Sequence, residues 1–213
     1  MNLKDQYEFM AKLQNESPKK SWYISVKRVA DFIFALLLFI PALPVVIIFG
    51  IAIRLETPGS IFYKQERVGL MGKKIFITKL RSMYADAESK SGAKWADKND
   101  SRITTVGHFI RKTRIDELPQ IINVLRGEMS FIGPRPERPN FTEEFSNTVP
   151  GFEKRLTITP GLSGLAQIRG GYEATPAEKL KDDLEYINNV SLIQDVRIII
   201  QTIGVVVTGK GAR

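Results

Sequence analysis

Asp116 and Glu117 stand side by side, directly behind three cations, Arg111, Lys112 and Arg114. Further along, Arg135 is held between Pro134 and Pro136. Two adjacent acids on a helix are usually a cap and a solvated face. Here the neighbours point to other chemistry. The pattern predicts a helix capped by Asp116, running from Glu117 to about Arg126 and closed by Gly127. A carboxylate at that end feels the positive pole of the helix dipole, and with the cations beside it stays ionised. An ionised carboxylate is a nucleophile toward phosphorus and can form an acyl phosphate. Residues one apart on a helix do not face each other. Asp116 and Glu117 therefore divide the work, one facing the phosphorus and the other a metal or a proton.

Such an attack needs cations. A carboxylate about 4 Å from a phosphate oxygen meets roughly 4 kcal/mol of repulsion per unit charge at an effective dielectric near 20, and about 1.4 kcal/mol is tenfold in rate. Mg²⁺ held by Asp116 and Glu117 is the expected device. Arg135, its backbone restricted by prolines on both sides, is the expected bidentate phosphate ligand, with Arg111 and Arg114 as further substrate-binding candidates. The glycines at 161, 164, 170 and 171 read either as a backbone cradle for phosphate or as ordinary turns. Gln167 and Arg169 are candidates for contacts to a nucleotide, and His108 reads as structural.

Composition narrows the alternatives. The 213 residues suit one good-sized domain, or a smaller one with membrane elements. The net charge of +8 calls for an anionic partner: nucleic acid, acidic lipid or a phosphorylated substrate. With no Cys and one His, disulfides and Cys/His metal centres are excluded, so any metal is oxygen-ligated. No cleavable signal peptide is visible.

Three segments are expected to position the site. Residues 1–20 carry Leu3, Tyr7, Met10 and Leu13 at helical spacing, which reads as a helix on the membrane surface or as a frayed terminus. Residues 21–56 begin with a basic collar around Trp22 and Tyr23, then run free of charge from Phe32 to Ile53. Roughly 22 residues at about 1.5 Å each give about 33 Å, enough to span a core of about 30 Å. Against a plain span stand Pro41 and Pro44 in mid-run and basic residues on both flanks. These favour a re-entrant hairpin that breaks at the prolines and returns. Residues 57–213 read as the catalytic domain with interfacial helices. Ile61–Val68 and Lys74–Leu80 form a β-hairpin through Gly69–Gly72. Ala85 to Asp100 is a candidate lid. Thr175-Pro-Ala-Glu178 starts one helix and Ser191 opens a last, very apolar one. The fold class is thus α+β, mostly helical: a re-entrant helix-break-helix, one β-hairpin and interfacial amphipathic helices around a compact cytoplasmic domain.

Several stretches taken together resemble a known family. They are Lys27-Arg-Val-Ala-Asp-Phe32, Pro58 through Gly69, Lys79-Leu-Arg-Ser-Met83, Arg111 through Glu117, Asn123 through Pro136 and Pro160-Gly-Leu-Ser-Gly-Leu-Ala-Gln167. The chain resembles the small monotopic phosphoglycosyl transferases, bacterial enzymes that start lipid-linked glycan assembly. The resemblance implies a two-step reaction. Asp116 attacks the β-phosphate of a UDP-sugar, UMP leaves, and polyprenyl (undecaprenyl) phosphate then takes the phospho-sugar from the enzyme. It also implies Mg²⁺, help from Glu117 with metal or proton, and phosphate binding by Arg111 and Arg135. The implied location is the cytoplasmic face of the bacterial membrane, beside anionic lipids, with a homo-oligomer allowed and no nucleic acid. The family breaks its membrane helix at a Ser-Pro pair; Leu43-Pro44 stands there in this chain, with Pro41 beside it. The alternative from another class is a membrane-anchored basic binding module, in which Asp116 is dispensable.

Overall fold

Helix α2 (Trp22–Glu56) is the longest element in the computed structural model, which describes residues 7–87, 100–171 and 174–208. Ser21 caps it, its hydroxyl accepting from the Ile24 N–H. Pro41 and Pro44 lie inside it and the helix continues through both. The expected break is therefore not a gap in helical structure. Each proline removes one donor, which strips the carbonyls of Leu37 and Ile40 of their helical partners and leaves the remaining ladder to carry the helix.

One stripe of α2 is buried: Tyr23, Lys27, Asp31 and Ala35 at four-residue spacing, then Gly50 and Ile53. The other face is apolar and open, with Leu37 60% and Ile40 71% exposed. Both ends rest on the same body. At the start, Asp195 accepts from Tyr23 (2.7 Å), Lys27 (2.6 Å) and Tyr186 (2.8 Å). Asp31 accepts from the Ser130 hydroxyl, and Arg28 donates to the carbonyls of Val124 and Leu125. At the far end, Glu56 accepts from the N–H groups of Thr105 and Val106, Phe49 stacks on Phe109, and Ile53 packs with Leu80 and Ile110.

The body is mostly helical with two small sheets. Strands β1 (Phe62–Val68) and β2 (Lys74–Leu80) form the expected antiparallel hairpin, pairing Phe62 with Leu80 and Val68 with Lys74. Helix α3 (Thr105–Lys112) leads to a 3₁₀ helix (Ile115–Gln120) and then to the short α4 (Ile121–Leu125). Strand β3 (Ser130–Ile132) pairs in parallel with β4 (Gly161–Ser163), a sheet the sequence reading does not contain. It leaves no alternation to read because each strand is three residues long. Helices α5 (Pro139–Thr148), α6 (Leu165–Arg169), α7 (Pro176–Asn188) and α8 (Leu192–Thr208) complete the chain. The capping box at the start of α7 forms as its sequence predicts.

Two expectations change. Residues 1–6 lie outside the described part. In the remainder of that segment, α1 (Phe9–Leu13) turns Phe9, Met10 and Leu13 into the protein against Val68 and Leu156, so this turn contributes to the core and not to a lipid face. The glycines at 161 and 164 serve close packing. A Cβ on Gly161 would come within 2.1 Å of the Gly133 nitrogen, and one on Gly164 within 2.3 Å of the Gly133 carbonyl oxygen. The Gly161 N–H is already donated to the carbonyl of Pro134. Most of the candidate lid, residues 88–99, falls outside the described residues.

Candidate active site

The sharp turn from α3 into the 3₁₀ helix sets the two acids. Arg114 takes a left-handed conformation (φ 60°) to make it, a strained choice for a residue with a Cβ. Asp116 and Glu117 then lie in the first turn of a 3₁₀ helix, where the sequence predicted an α-helix capped by Asp116. Pro119 sits within that short helix, at a place where the tighter turn tolerates it.

Both acids are withdrawn from water, and their partners differ. Lys79 reaches Oε1 of Glu117 at 2.7 Å, and Arg135 reaches the same oxygen at 2.6 Å. Burial pushes the Glu117 carboxyl up, but Arg135 and Lys79 outweigh it and hold the group well below the usual carboxylate range. Asp116 is 7% exposed. Its burial outweighs the pull of Lys79, and Glu117 adds to the effect, so its pKa is pushed up to about 6. The expectation that Asp116 is held firmly ionised by its surroundings is thus corrected, because desolvation exceeds the attraction of the cations.

These residues line an open pocket of ≈ 560 Å³. Among the described residues, ten lysines and arginines and three carboxylates line it, a net +7. Asp100 and Asp183 pair Arg102 and Arg155, leaving +5. Arg111, Arg114 and Arg135 all line it, as does Gln167. Arg169 does not; it is bound on α7 by Asp182 (2.9 Å) and Glu185 (2.6 Å). The helical register that points Gln167 inward turns a residue two further on toward the next helix.

Sequence reading missed three contributors. Lys79 is one; it lies near the end of β2, a strand read from the sequence for its pairing and its positive charge but not as part of the site. Arg67 and Arg155 are the others: they donate to the carbonyls of Pro136 and Arg135, both at 2.9 Å, and so hold the backbone that carries the Arg135 guanidinium. The prolines restrict this segment, and these two bonds aim it. The run of polar residues Gln65-Glu66-Arg67 on a hairpin strand was the available signal for Arg67; nothing local marked Arg155.

Among the described residues no group of three or more His, Cys, Asp or Glu could hold a metal. Asp116 and Glu117 are a pair of hard oxygen donors, which suits a magnesium-type ion that takes one or two carboxylates and completes its shell with substrate phosphates and water. The donor set therefore fits that ion.

The family profile described as bacterial sugar transferase matches residues 22–209, and the chain belongs to that family. A Bacillus subtilis (strain 168) protein, provisionally named an undecaprenyl-phosphate N-acetylgalactosaminyl 1-phosphate transferase, is 59% identical over 140 residues, 66% of this chain and 78% of that one. The UDP-N-acetylgalactosamine-undecaprenyl-phosphate N-acetylgalactosaminephosphotransferase of Aeromonas hydrophila is 42% identical over 90% of this chain, which spans only 46% of that protein. The UDP-glucose:undecaprenyl-phosphate glucose-1-phosphate transferase of Caulobacter vibrioides is 38% identical over 87% of this chain and 71% of its own length. An enzyme of the phosphoglycosyl transferase type, expected from the motifs, is the reading these relatives share.

Proposed function

We propose that the protein moves a sugar-1-phosphate from a UDP-sugar to undecaprenyl phosphate at a membrane surface, with Asp116 as the nucleophile. The observation that carries this reading is the unequal pair. Glu117 is paired with two cations through one oxygen, Oε1, and lowered in basicity. Asp116 is buried, more basic than an ordinary aspartate, and surrounded by surplus positive charge. With a pKa of about 6 it is about nine-tenths ionised near pH 7. It therefore combines raised nucleophilicity with a usable charged fraction.

In the first step Asp116 attacks the β-phosphorus of the nucleotide sugar, the P–O bond to the α-phosphate breaks, and UMP leaves with that electron pair. In the second, the phosphate oxygen of the lipid attacks the same phosphorus, and the bond to Asp116 breaks to restore the carboxylate. Arg135, Arg111 and Arg114 bind and orient the phosphates, while Glu117 fixes Lys79 and Arg135 in place. Asp116 and Glu117 would hold a magnesium-type ion, which when bound neutralises diphosphate charge.

The apolar face of α2 supports insertion into one leaflet from the cytoplasmic side. A bent or re-entrant course fits the contact of both its ends with one polar body. A spanning helix would put those ends on opposite sides of the bilayer.

Quenched intact-protein mass spectrometry after mixing with UDP-N-acetylgalactosamine or UDP-glucose tests the covalent step. The expected result is a mass gain of one phospho-sugar on the parent, absent from Asp116→Asn. Product formation by Asp116→Asn at the parent's rate would overturn the assignment.

A further inference from the structure

The pocket has two unlike kinds of lining. One is cationic: Arg67, Arg138, Arg155 and Lys179, with Arg67 and Lys179 both paired to Glu137. The other is Leu38 of α2, Phe131 of β3 and Leu162 of β4, which pack on one hydrophobic cluster, with Thr202 and Val205 of α8. The second set is almost wholly apolar, and its two flanking helices are the ones with open apolar faces. Leu37 and Ile40 on α2 are 60% and 71% exposed, and Ile200 and Ile203 on α8 are 64% and 58% exposed. The two helices are tied at their first turns through Asp195. Phe131 packs with the buried clusters on both sides of the gap, and Phe34 meets it edge-on. A polar ligand gains nothing from such a wall, whereas a hydrocarbon chain does, at roughly 25 cal/mol per Å² of buried apolar surface.

Gln167 lines the same pocket from α6, which packs on α8. Both its amide oxygen and its amide nitrogen are shut off from solvent and lack a hydrogen-bond partner. An unmade hydrogen bond at a buried amide costs about 1–3 kcal/mol, which is a reason to look for a ligand there. The Ser163 hydroxyl lies close by in the chain and shares a 2.7 Å hydrogen bond with Thr202 of α8.

From this we infer that the crevice between α2 and α8, walled by Leu38, Phe131, Leu162 and Val205, admits the lipid phosphate acceptor from the bilayer, its hydrocarbon chain lying along the apolar wall and the Gln167 amide N–H donating to its phosphate. The nucleotide sugar then occupies the cationic part of the lining, and the two substrates meet at Asp116. This rests on the proposed reaction above and adds where the acceptor binds.

Leu38→Trp and Val205→Trp fill the crevice; Gln167→Leu removes the donor. Each is compared with Ile203→Trp, a change of similar size on the outer face of α8. Two quantities are read for each protein, normalised to folded protein in detergent: the single-turnover burst of UMP from UDP-N-acetylgalactosamine or UDP-glucose without lipid, and steady turnover with undecaprenyl phosphate. The expected result is a burst within about twofold of the parent and lipid-dependent turnover lowered tenfold or more for the two crevice variants. Gln167→Leu raises KM for the lipid with little change in KM for the nucleotide sugar, and Ile203→Trp changes neither quantity. Equal loss of burst and turnover, or retention of both, in the crevice variants would overturn the inference. A parent enzyme that turns over without any burst would instead overturn the covalent reaction on which it rests.

Discussion

Asp116 and Glu117 are separated by one backbone step and by a single methylene, yet their surroundings drive them in opposite directions. The raised pKa of Asp116 has a consequence for stability. For a carboxyl whose folded-state pKa lies above its unfolded value, the neutral form is favoured by folding. Its contribution is fully present below the unfolded pKa near 4 and is lost as pH rises through about 6. Above that, the ionised group costs of the order of 2–3 kcal/mol, at 1.36 kcal/mol per pKa unit. Asp116→Asn should therefore abolish turnover while raising Tm in detergent at pH 8, and the gain should vanish near pH 4. A Tm lower than the parent's at pH 8 would contradict the burial argument. Turnover itself should fall as pH drops below about 6, where Asp116 takes up a proton. Glu117→Gln acts in the opposite sense. It leaves Lys79 and Arg135 facing each other without a counter-charge, and should lower stability by about 3 kcal/mol as well as activity. Thermal unfolding of the two variants side by side separates a carboxylate that burial destabilises from a structural ion-pair acceptor.

At the scale of elements, α2 decides how the site meets the membrane. Its polar buried stripe is anchored by Asp195, which carries Lys27 and two tyrosine hydroxyls. Burial first, then the neighbouring Asp195 carboxylate, raises the pKa of both Tyr23 and Tyr186, so both hydroxyls stay protonated and donate. Asp195→Leu leaves Lys27 buried beside Asp31 alone, and should cost about 3–5 kcal/mol. Adding Lys27→Met should recover part of that loss, a coupling that a double-mutant cycle on detergent-solubilised protein measures directly. Because both ends of α2 rest on one body, cysteines placed at Ser21 and Ser60 should react with an impermeant maleimide from the same side of sealed vesicles. Labelling from opposite sides would establish a span.

The whole molecule keeps its two kinds of surface apart. Among the described residues a surplus of positive charge lines the pocket, and the open faces of α2 and α8 are apolar. Membrane attachment should accordingly resist a high-salt wash, because burial of hydrocarbon surface is not screened by ions. If the pocket's cations bind a nucleotide phosphate as proposed, the affinity for UMP should weaken as salt rises. Release of the protein from membranes by salt alone would show that surface lysines and not the two helices hold it there.

Much of this was legible in the chain. The charge-free run, the hairpin with its glycine turn, the capping box of α7 and the Arg-flanked Asp-Glu pair depend on short-range rules: periodicity, turn chemistry and helix capping. Hence their positions in the sequence were enough to find them. What the sequence left undetermined depends on contacts between distant segments. The 3₁₀ course of Ile115–Gln120 and the three-residue parallel sheet are too short to show a period, and the helical spacing of Tyr7, Met10 and Leu13 does not say whether that face meets lipid or protein. The opposite fates of Asp116 and Glu117 depend on Lys79 and Arg135 arriving from other elements, and on how much water those elements exclude. Charge and residue type can be read along a chain. Desolvation and the choice of partner cannot, because they arise only when segments far apart in sequence close over the same space.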